Sequence, residues 1–272
     1  MKKVLCALVL VLAFVGAASA EVIGLLARLN VAPEGLKATV ENKQDESKYI
    51  RTTVLIGDKN LSFKFYDSMP AMLMALNAGE IDSMFMPECV GEYVLNANPK
   101  TDARGFQLSR FWLGLSLGFS ENNTALRDKF NAAIAEMTAD GKLGLLVKEY
   151  ISGPEANNPK PAKIEKYDDA ETIRVAVTGD LPPIDYIDPD GTPAGYNTAI
   201  LAELGRRLHV NIQMVQVDSA SRAAALTSGR VDCVFWFETL TGTNLNLDVP
   251  EGIIITMPYF GWNKQLFIGL GK

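Results

Sequence analysis

The sequence is poor in the residues that carry most metal and nucleophile chemistry. Its 272 residues include one histidine, His209, and three cysteines, Cys6, Cys89 and Cys233. A lone histidine weakens any histidine-rich metal site or Ser-His-Asp triad, so no metal and no cofactor is expected. The apolar run Val4–Val15 falls short of the roughly 20 residues a membrane span requires, and no later run is longer. There is also no basic patch interleaved with aromatics, which argues against nucleic acid as a partner.

What the chain does have begins with a leader. Met1-Lys2-Lys3 is basic, Val4–Val15 is apolar, and Ala18-Ser19-Ala20 has the small-x-small form of a cleavage site. Removal of residues 1–20 predicts an exported, soluble chain starting at Glu21. Cys6 follows Leu5, which is the wrong context for a lipid anchor. Losing Lys2 and Lys3 leaves 24 basic against 32 acidic residues, a net charge of −8. The length permits one large or two modest domains. Cys89 and Cys233 read as isolated buried thiols, or as a disulfide if the segments holding them touch.

Those two segments are related. Ala75–Met86, ALNAGEIDSMFM, has an echo in Ala225–Trp236, ALTSGRVDCVFW. Each predicts a helix ended by a glycine (Gly79, Gly229) and then a strand apolar on both faces, as central parallel strands are. Asp82 and Asp232 open those strands and are expected to satisfy backbone groups. Around the first copy, Phe63–Tyr66 reads as a strand, Asp67-Ser68 as the cap of a helix over Met69–Asn77, and Leu113–Phe119 as a further strand. Thr124–Tyr150 predicts two helices broken at Asp140-Gly141, the first with Leu126, Phe130, Ile134 and Met137 on one stripe. Ser152–Pro161, SGPEANNPKP, is a linker. Beyond it come a strand over Ile173–Thr178, a loop over Asp180–Gly195, and a helix over Ala199–Leu208. A strand over Ile212–Val217 and a helix at Arg222–Leu226 capped by Asp218-Ser219 precede the second copy. Alternating strands and helices predict an α/β class with parallel sheets, in two lobes.

Several of these phrases together resemble the polar amino-acid-binding group of periplasmic solute-binding proteins of ABC importers (bacterial extracellular solute-binding proteins, family 3). IRVAVTGDLPPIDY, DGTPAGYNTAIL and SGRVD resemble that family's N-terminal opening. TALRDKFNAAIAEMTADGKLGLLVKEYI resembles its C-terminal close. The resemblance implies a type II periplasmic binding fold, two α/β lobes around a cleft. Its order is reversed here, with the ending ahead of the opening. A circular permutation is the reading this suggests, with residues 21–111 as lobe two, 112–272 as lobe one, and a linker at 152–170. Leu113–Phe119 and Lys264–Leu270 then become crossing strands. Two half-proteins completed by swapping between chains is the alternative to a monomer.

In such folds ligands sit at the carboxyl ends of parallel strands. Asp180 is a candidate acceptor for an ammonium group, or else closes a turn; Tyr186 lines the mouth of the cleft or packs. The phrase Val217–Arg222 is similar to the Ser and Arg pair that holds carboxylate in acidic-amino-acid binders, which transfers to Ser219 and Arg222. Guanidinium suits that work because its fork is planar and bidentate; the alternative is an ordinary cap and a surface Arg. Trp236 offers an apolar wall, and Glu238 and Thr239 polar contacts. The position matching the family's carboxylate-clamp Arg is Asn244, which puts a standard α-amino-acid clamp in doubt. In lobe two, Glu88 and Asn30 are the candidates, with Pro87 rather than Glu88 in direct register.

The resemblance implies a non-enzymatic protein that captures an amino acid or related carboxylate and hands it to an ABC permease. A secreted dehydratase of the cyclohexadienyl dehydratase type, or a ligand-sensing subunit for a membrane partner, would use the same scaffold.

Overall fold

The computed structural model describes residues 21–26, 61–107, 112–154, 156, 161–240 and 248–271. The leader, Asn30, Asn244 and linker residues 155 and 157–160 lie outside them.

Strand β1 (Glu21–Leu26) runs parallel to β2 (Leu61–Tyr66). Ser68 then caps α1 (Met69–Asn77) as expected: its Oγ accepts from the Ala71 amide at 3.3 Å, and proline stands in the first turn, where its missing N–H leaves nothing unpaired. Gly79, at φ 72, turns the chain into β3 (Ser83–Pro87), parallel to β1. Helix α2 (Glu88–Ala97) follows at once and leads to β4 (Thr101–Gln107).

Strand β5 (Leu113–Ser120) belongs to a second sheet. Helix α3 (Thr124–Ala139) buries Phe130, Ile134 and Met137 of the expected stripe, with Leu126 half-buried and Ala133 joining them. It stops at Asp140-Gly141, and α4 (Lys142–Val147) continues as a π turn to Ser152. After β6 (Thr172–Val177), the stretch expected to be a loop contains a meander. Its strands are β7 (Asp180–Leu181), β8 (Asp185–Ile187) and β9 (Pro193–Ala194). Helix α5 (Tyr196–Leu208) starts three residues before the apolar spacing places it, directly on Gly195. Strand β10 (Asn211–Gln216) pairs parallel with β6. Asp218 and Ser219 do not cap: a 3-10 turn over Ser219–Ser221 intervenes, and no side chain closes the start of α6 (Arg222–Thr227). Strands β11 (Cys233–Leu240), β12 (Ile253–Ile255), β13 (Phe260–Trp262) and β14 (Lys264–Leu270) complete the chain.

The two sheets have one design. The first runs β2-β1-β3-β14-β4, the second β10-β6-β11-β5-β12, with β13 also on β5. In each, the first three strands are parallel and the fourth antiparallel. In each, that antiparallel strand comes from the other part of the chain. β14 therefore sits in the sheet of β1–β4, although it follows the second sheet in sequence. This is the type II arrangement of a two-sheet α/β fold, and both sheets close within one chain.

The repeated aspartates do the same task in both halves. Asp82 Oδ2 accepts from the Val22 amide at 2.7 Å, and Asp232 Oδ2 from the Arg174 amide at 2.9 Å. Each ties the start of the third strand of its sheet to the neighbouring second one, β3 to β1 and β11 to β6. Asp232 also pairs with the Arg174 guanidinium at 2.7 Å. Burial opposes its ionisation, but the Arg174 bonds outweigh that and hold its pKa below the usual carboxylate value. Cys89 and Cys233 are both free thiols, Cys233 buried and Cys89 half-buried.

Strand β11 is flanked by apolar residues on both faces. Cys233 and Phe235 join the core shared with α3 and α5, whereas Val234 and Phe237 pack with Ala225 and Leu226 of α6. Each fully buried side chain of this kind stabilises the fold by about 1.5–3 kcal/mol. The alternation breaks at Trp236. Between the pairs Val234–Gly118 and Phe237–Ser116 the strand carries one extra residue, and Trp236 takes φ 48. A non-glycine in that region is strained by about 1–3 kcal/mol and persists only where surrounding bonds hold it.

Candidate functional site

The bulge lies within β11, just past its parallel pairing with β6, and residues of both sheets gather beside it. Leu26, Phe85, Met86 and Pro87 arrive from the first sheet; Trp236, Glu238 and Leu115 from the second; Leu181 and Ile184 from the meander; and Trp262 and Gln265 from the returning chain. Together they line a narrow seam of about 30 Å³, room for one or two water molecules. Trp236, Glu238, Trp262 and Gln265 are all buried there, at 3%, 6%, 7% and 2% exposure. Gln265, in the amide orientation its neighbours require, accepts from Trp262 Nε1 at 2.6 Å and donates to the Met86 carbonyl at 2.9 Å. That amide thus fixes the second indole against the first sheet. Trp236 Nε1 has no hydrogen-bond partner among the described residues.

A buried ion pair holds the bulge. Arg222, expected to anchor a ligand carboxylate, is fully buried and faces inward. Its Nη2 meets Asp248 Oδ1 at 2.9 Å, its Nε donates to the Ser219 carbonyl at 2.8 Å, and its Nη1 donates to the Trp236 carbonyl. The guanidinium carbon sits 4.1 Å over the Trp236 ring. Asp248 in turn accepts from the Glu238 amide at 2.9 Å. One ion pair therefore fixes the backbone on both sides of Phe237, and with it the two side chains presented to the seam. Arg222 is a positioning residue here. Ser219 is buried, with its hydroxyl unpartnered among the described residues.

The other candidates divide. Thr239 Oγ1 donates to the Gly114 carbonyl at 3.3 Å, a link between β11 and β5. Glu88 does not line the seam; it pairs with Lys264 at 3.0 Å, and Pro87, in direct register, takes the lining position. Asp180 reaches across to the other lobe, where its Oδ2 accepts from the Met69 amide at 3.3 Å, at the first residue of α1. A carboxylate there meets free N–H groups and the positive end of the helix. Burial, with the charge of Asp218 adding to it, raises the Asp180 pKa. Tyr186 lies on the far side of the meander, in a groove of about 470 Å³ shared with Glu92, Tyr93 and Asn96 of α2.

Sequence reasoning missed Asp248, Trp262, Gln265 and Asp185. Asp185 is 1% exposed and accepts through Oδ2 from the Thr178 amide at 2.9 Å and the Thr178 hydroxyl at 3.1 Å. Its Oδ1 has no partner among the described residues. Burial pushes its pKa up from 3.8 to about 6. A carboxyl whose folded pKa is raised adds stability below its unfolded pKa and loses it as pH rises through the folded value. We expect Asp185→Asn to gain on the wild type by about 2 kcal/mol between pH 4 and pH 7. Urea unfolding of both proteins across that range checks this, and parallel pH profiles would refute it.

Residues 173–243, from β6 through β11, match the family described as bacterial extracellular solute-binding proteins, family 3. No curated protein sequence matches the chain. Among solved structures, it is similar to the zinc-bound ligand binding component of an ABC-type import system from Staphylococcus aureus. That similarity has 11% identity, 93% of this chain and 66% of that one covered, and a TM-score of 0.44. The periplasmic aliphatic sulphonate binding protein SsuA of Escherichia coli shows 13% identity, 92% and 65% coverage, and a TM-score of 0.40. The GluR0 ligand binding core, in complex with L-glutamate, shows 14% identity, 94% and 87% coverage, and a TM-score of 0.40. The chain spans just under two thirds of the length of the first two. These similarities are too remote to argue from; the fold assignment rests on the strand orders.

Proposed function

We propose that this chain, which carries the family 3 solute-binding segment at residues 173–243, captures a small polar solute between its two sheets and delivers it to an ABC permease. It acts outside the cytoplasm, by binding rather than by reaction. The observation that carries this reading is the seam itself: strand ends of two like-built sheets meet over buried Trp236, Glu238, Trp262 and Gln265. A space of about 30 Å³ holds no solute, so the lobes must part to admit one and close again over it. A ligand touching both lobes favours the closed state by its differential affinity. The solute class is that of amino acids and related carboxylates, the class to which the family resemblance points.

The strand orders also support reading the chain as a circular permutation that states lobe two first. Residues 21–107 with β14 would form that lobe, and β5 with residues 121–262 the other. The basic, apolar and small-x-small pattern of residues 1–20 supports export.

Thermal unfolding of the purified protein against amino acids, amines, dicarboxylates and sulfonates tests the function. A true solute at a hundredfold excess over its Kd stabilises by about 2.7 kcal/mol, a shift of roughly 5–11 °C for a chain of this size. A panel in which nothing shifts the melting point would remove the reading.

A further inference from the structure

We infer that Asp180 is an autoinhibitory latch: its bond to the start of α1 keeps the empty protein shut, and a solute entering the seam must break it. The latch is a property of the free protein; only its effect on affinity rests on the solute-binding reading.

The contact is built from both sides. On the receiving lobe, the first turn of α1 needs acceptors for its amides. Pro70 has no N–H, and Ala71 donates to the Ser68 hydroxyl at 3.3 Å. Met72 donates to the Ser68 carbonyl at 3.2 Å. The Met69 amide donates instead to Asp180 Oδ2 of the other lobe, at 3.3 Å. That carboxylate also meets the positive end of the helix. On the giving lobe, Asp180 pairs with Tyr186 and Leu181 with Asp185 across β7 and β8. Thr178, two residues earlier, is held by Asp185 through its amide at 2.9 Å and its hydroxyl at 3.1 Å. The carboxylate is thus placed before the lobes meet. Burial raises its pKa, which the Thr178 and Met69 bonds only partly offset. The shut position therefore costs Asp180 some hydration, and the latch is weak enough for a solute to break.

The bond and a solute exclude one another by position. Asp180 precedes Leu181, which lines the seam together with Met86 and Pro87 of the first sheet. A seam of about 30 Å³ has room for one or two waters. A solute of several heavy atoms must spread the lobes at the residue next to the latch, and a bond of 3.3 Å does not survive that spread. Asp180 therefore stabilises the shut, empty state and not the loaded one. Apparent affinity is reduced by the fraction of protein so held, and weakening the latch restores it.

The chain's three tryptophans report the state of the seam. Trp112 is exposed, whereas Trp236 and Trp262 are buried in the seam. In the free wild type, acrylamide should quench one part of the emission and leave the rest shielded. Asp180→Ala removes the acceptor and the charge, Asp180→Asn the charge alone. The shielded part should shrink in the order wild type, Asp180→Asn, Asp180→Ala. For Asp180→Ala the shut-to-open ratio should fall about 10- to 100-fold, as expected for a bond to a charged group. A free wild type with all three tryptophans open to acrylamide, or an Asp180→Ala as shielded as the wild type, would overturn the latch. The wild-type measurement decides even where a variant does not fold. Each amino acid, amine, dicarboxylate or sulfonate that raises the wild-type Tm should raise that of Asp180→Ala by more. An equal or smaller rise would mean that the bond persists in the loaded state, and the autoinhibition falls. If no compound shifts either protein, the solute-binding reading falls, while the quenching still decides the latch.

Discussion

Replacing Arg222 with methionine should lower the stability of the protein by about 3–5 kcal/mol, and Asp248→Asn should do so to a similar degree. The reason lies in what each substitution leaves behind. Both side chains are fully inaccessible, and their pairing at 2.9 Å is the main compensation for taking two charges out of water. Removing Arg222 takes the guanidinium away from the Asp248 carboxylate in the core and frees the Trp236 and Ser219 carbonyls that it satisfies. The double variant Arg222→Met with Asp248→Leu removes both charges, so it should recover most of the single-variant loss when unfolded in urea. A second readout separates positioning from stability. Trp236 sits at φ 48 with its carbonyl held by Arg222, and Glu238 has its amide held by Asp248. The double variant should therefore fold yet bind solute at least about tenfold more weakly, because nothing then fixes the bulge. Full affinity in a folded double variant would show that the pair serves stability alone. A double variant no more stable than either single one would show that the pair is not the cause.

Much of the architecture could be read from the sequence, for physical reasons that differ from element to element. The stripe of Phe130, Ile134 and Met137 on α3 keeps a 3.6-residue period within a helix of 16 residues, a strong local signal. The helix-glycine-strand unit was legible twice because it is written twice, and its aspartates proved to be backbone ties, as their early position in the strand suggests. The meander at 180–194 was not legible: strands of two and three residues carry no period, and prolines and aspartates read as loop.

The site was legible only in part. Trp236 and Glu238 follow from strand-end position, and both line the seam. The resemblance to a carboxylate-binding Ser-Arg phrase drew Arg222 toward the ligand, but burial is a tertiary property. Its partner Asp248 lies 26 residues on, with no periodic relation to it. Gln265 enters because β14 returns to the first sheet, and Trp262 ends β13 on β5 just before that crossing, so their place depends on long-range strand pairing that local sequence does not encode. At Glu88 a single residue of register separates lining from surface: Pro87 faces the seam and the glutamate pairs with Lys264.

Gly195→Ala is expected to be strongly destabilising. Gly195 stands at φ 97, ahead of α5, and a Cβ there would lie 2.7 Å from the Pro183 carbonyl oxygen and 2.8 Å from that of Ile184. Both contacts are backbone, so no side chain can swing aside. The same two carbonyls accept from the Tyr196 amide at 3.1 Å and the Asn197 amide at 2.8 Å, which ties the start of α5 to the meander. That tie sets where Leu181 and Ile184 stand in the seam. Backbone strain of about 1–3 kcal/mol adds to an overpacking cost of similar size, about 4 kcal/mol in all. For a chain of this length that is a fall of roughly 8–16 °C in Tm. Gly191→Ala supplies the control, since Gly191 has a comparable φ of 84 and a Cβ there would meet nothing within 4 Å. It should therefore show only the conformational cost, about 1 kcal/mol. Equal losses from the two substitutions would mean that φ alone matters at Gly195. A larger loss at Gly195, with solute affinity falling alongside, would place the cause in the carbonyl pair that joins helix, meander and seam.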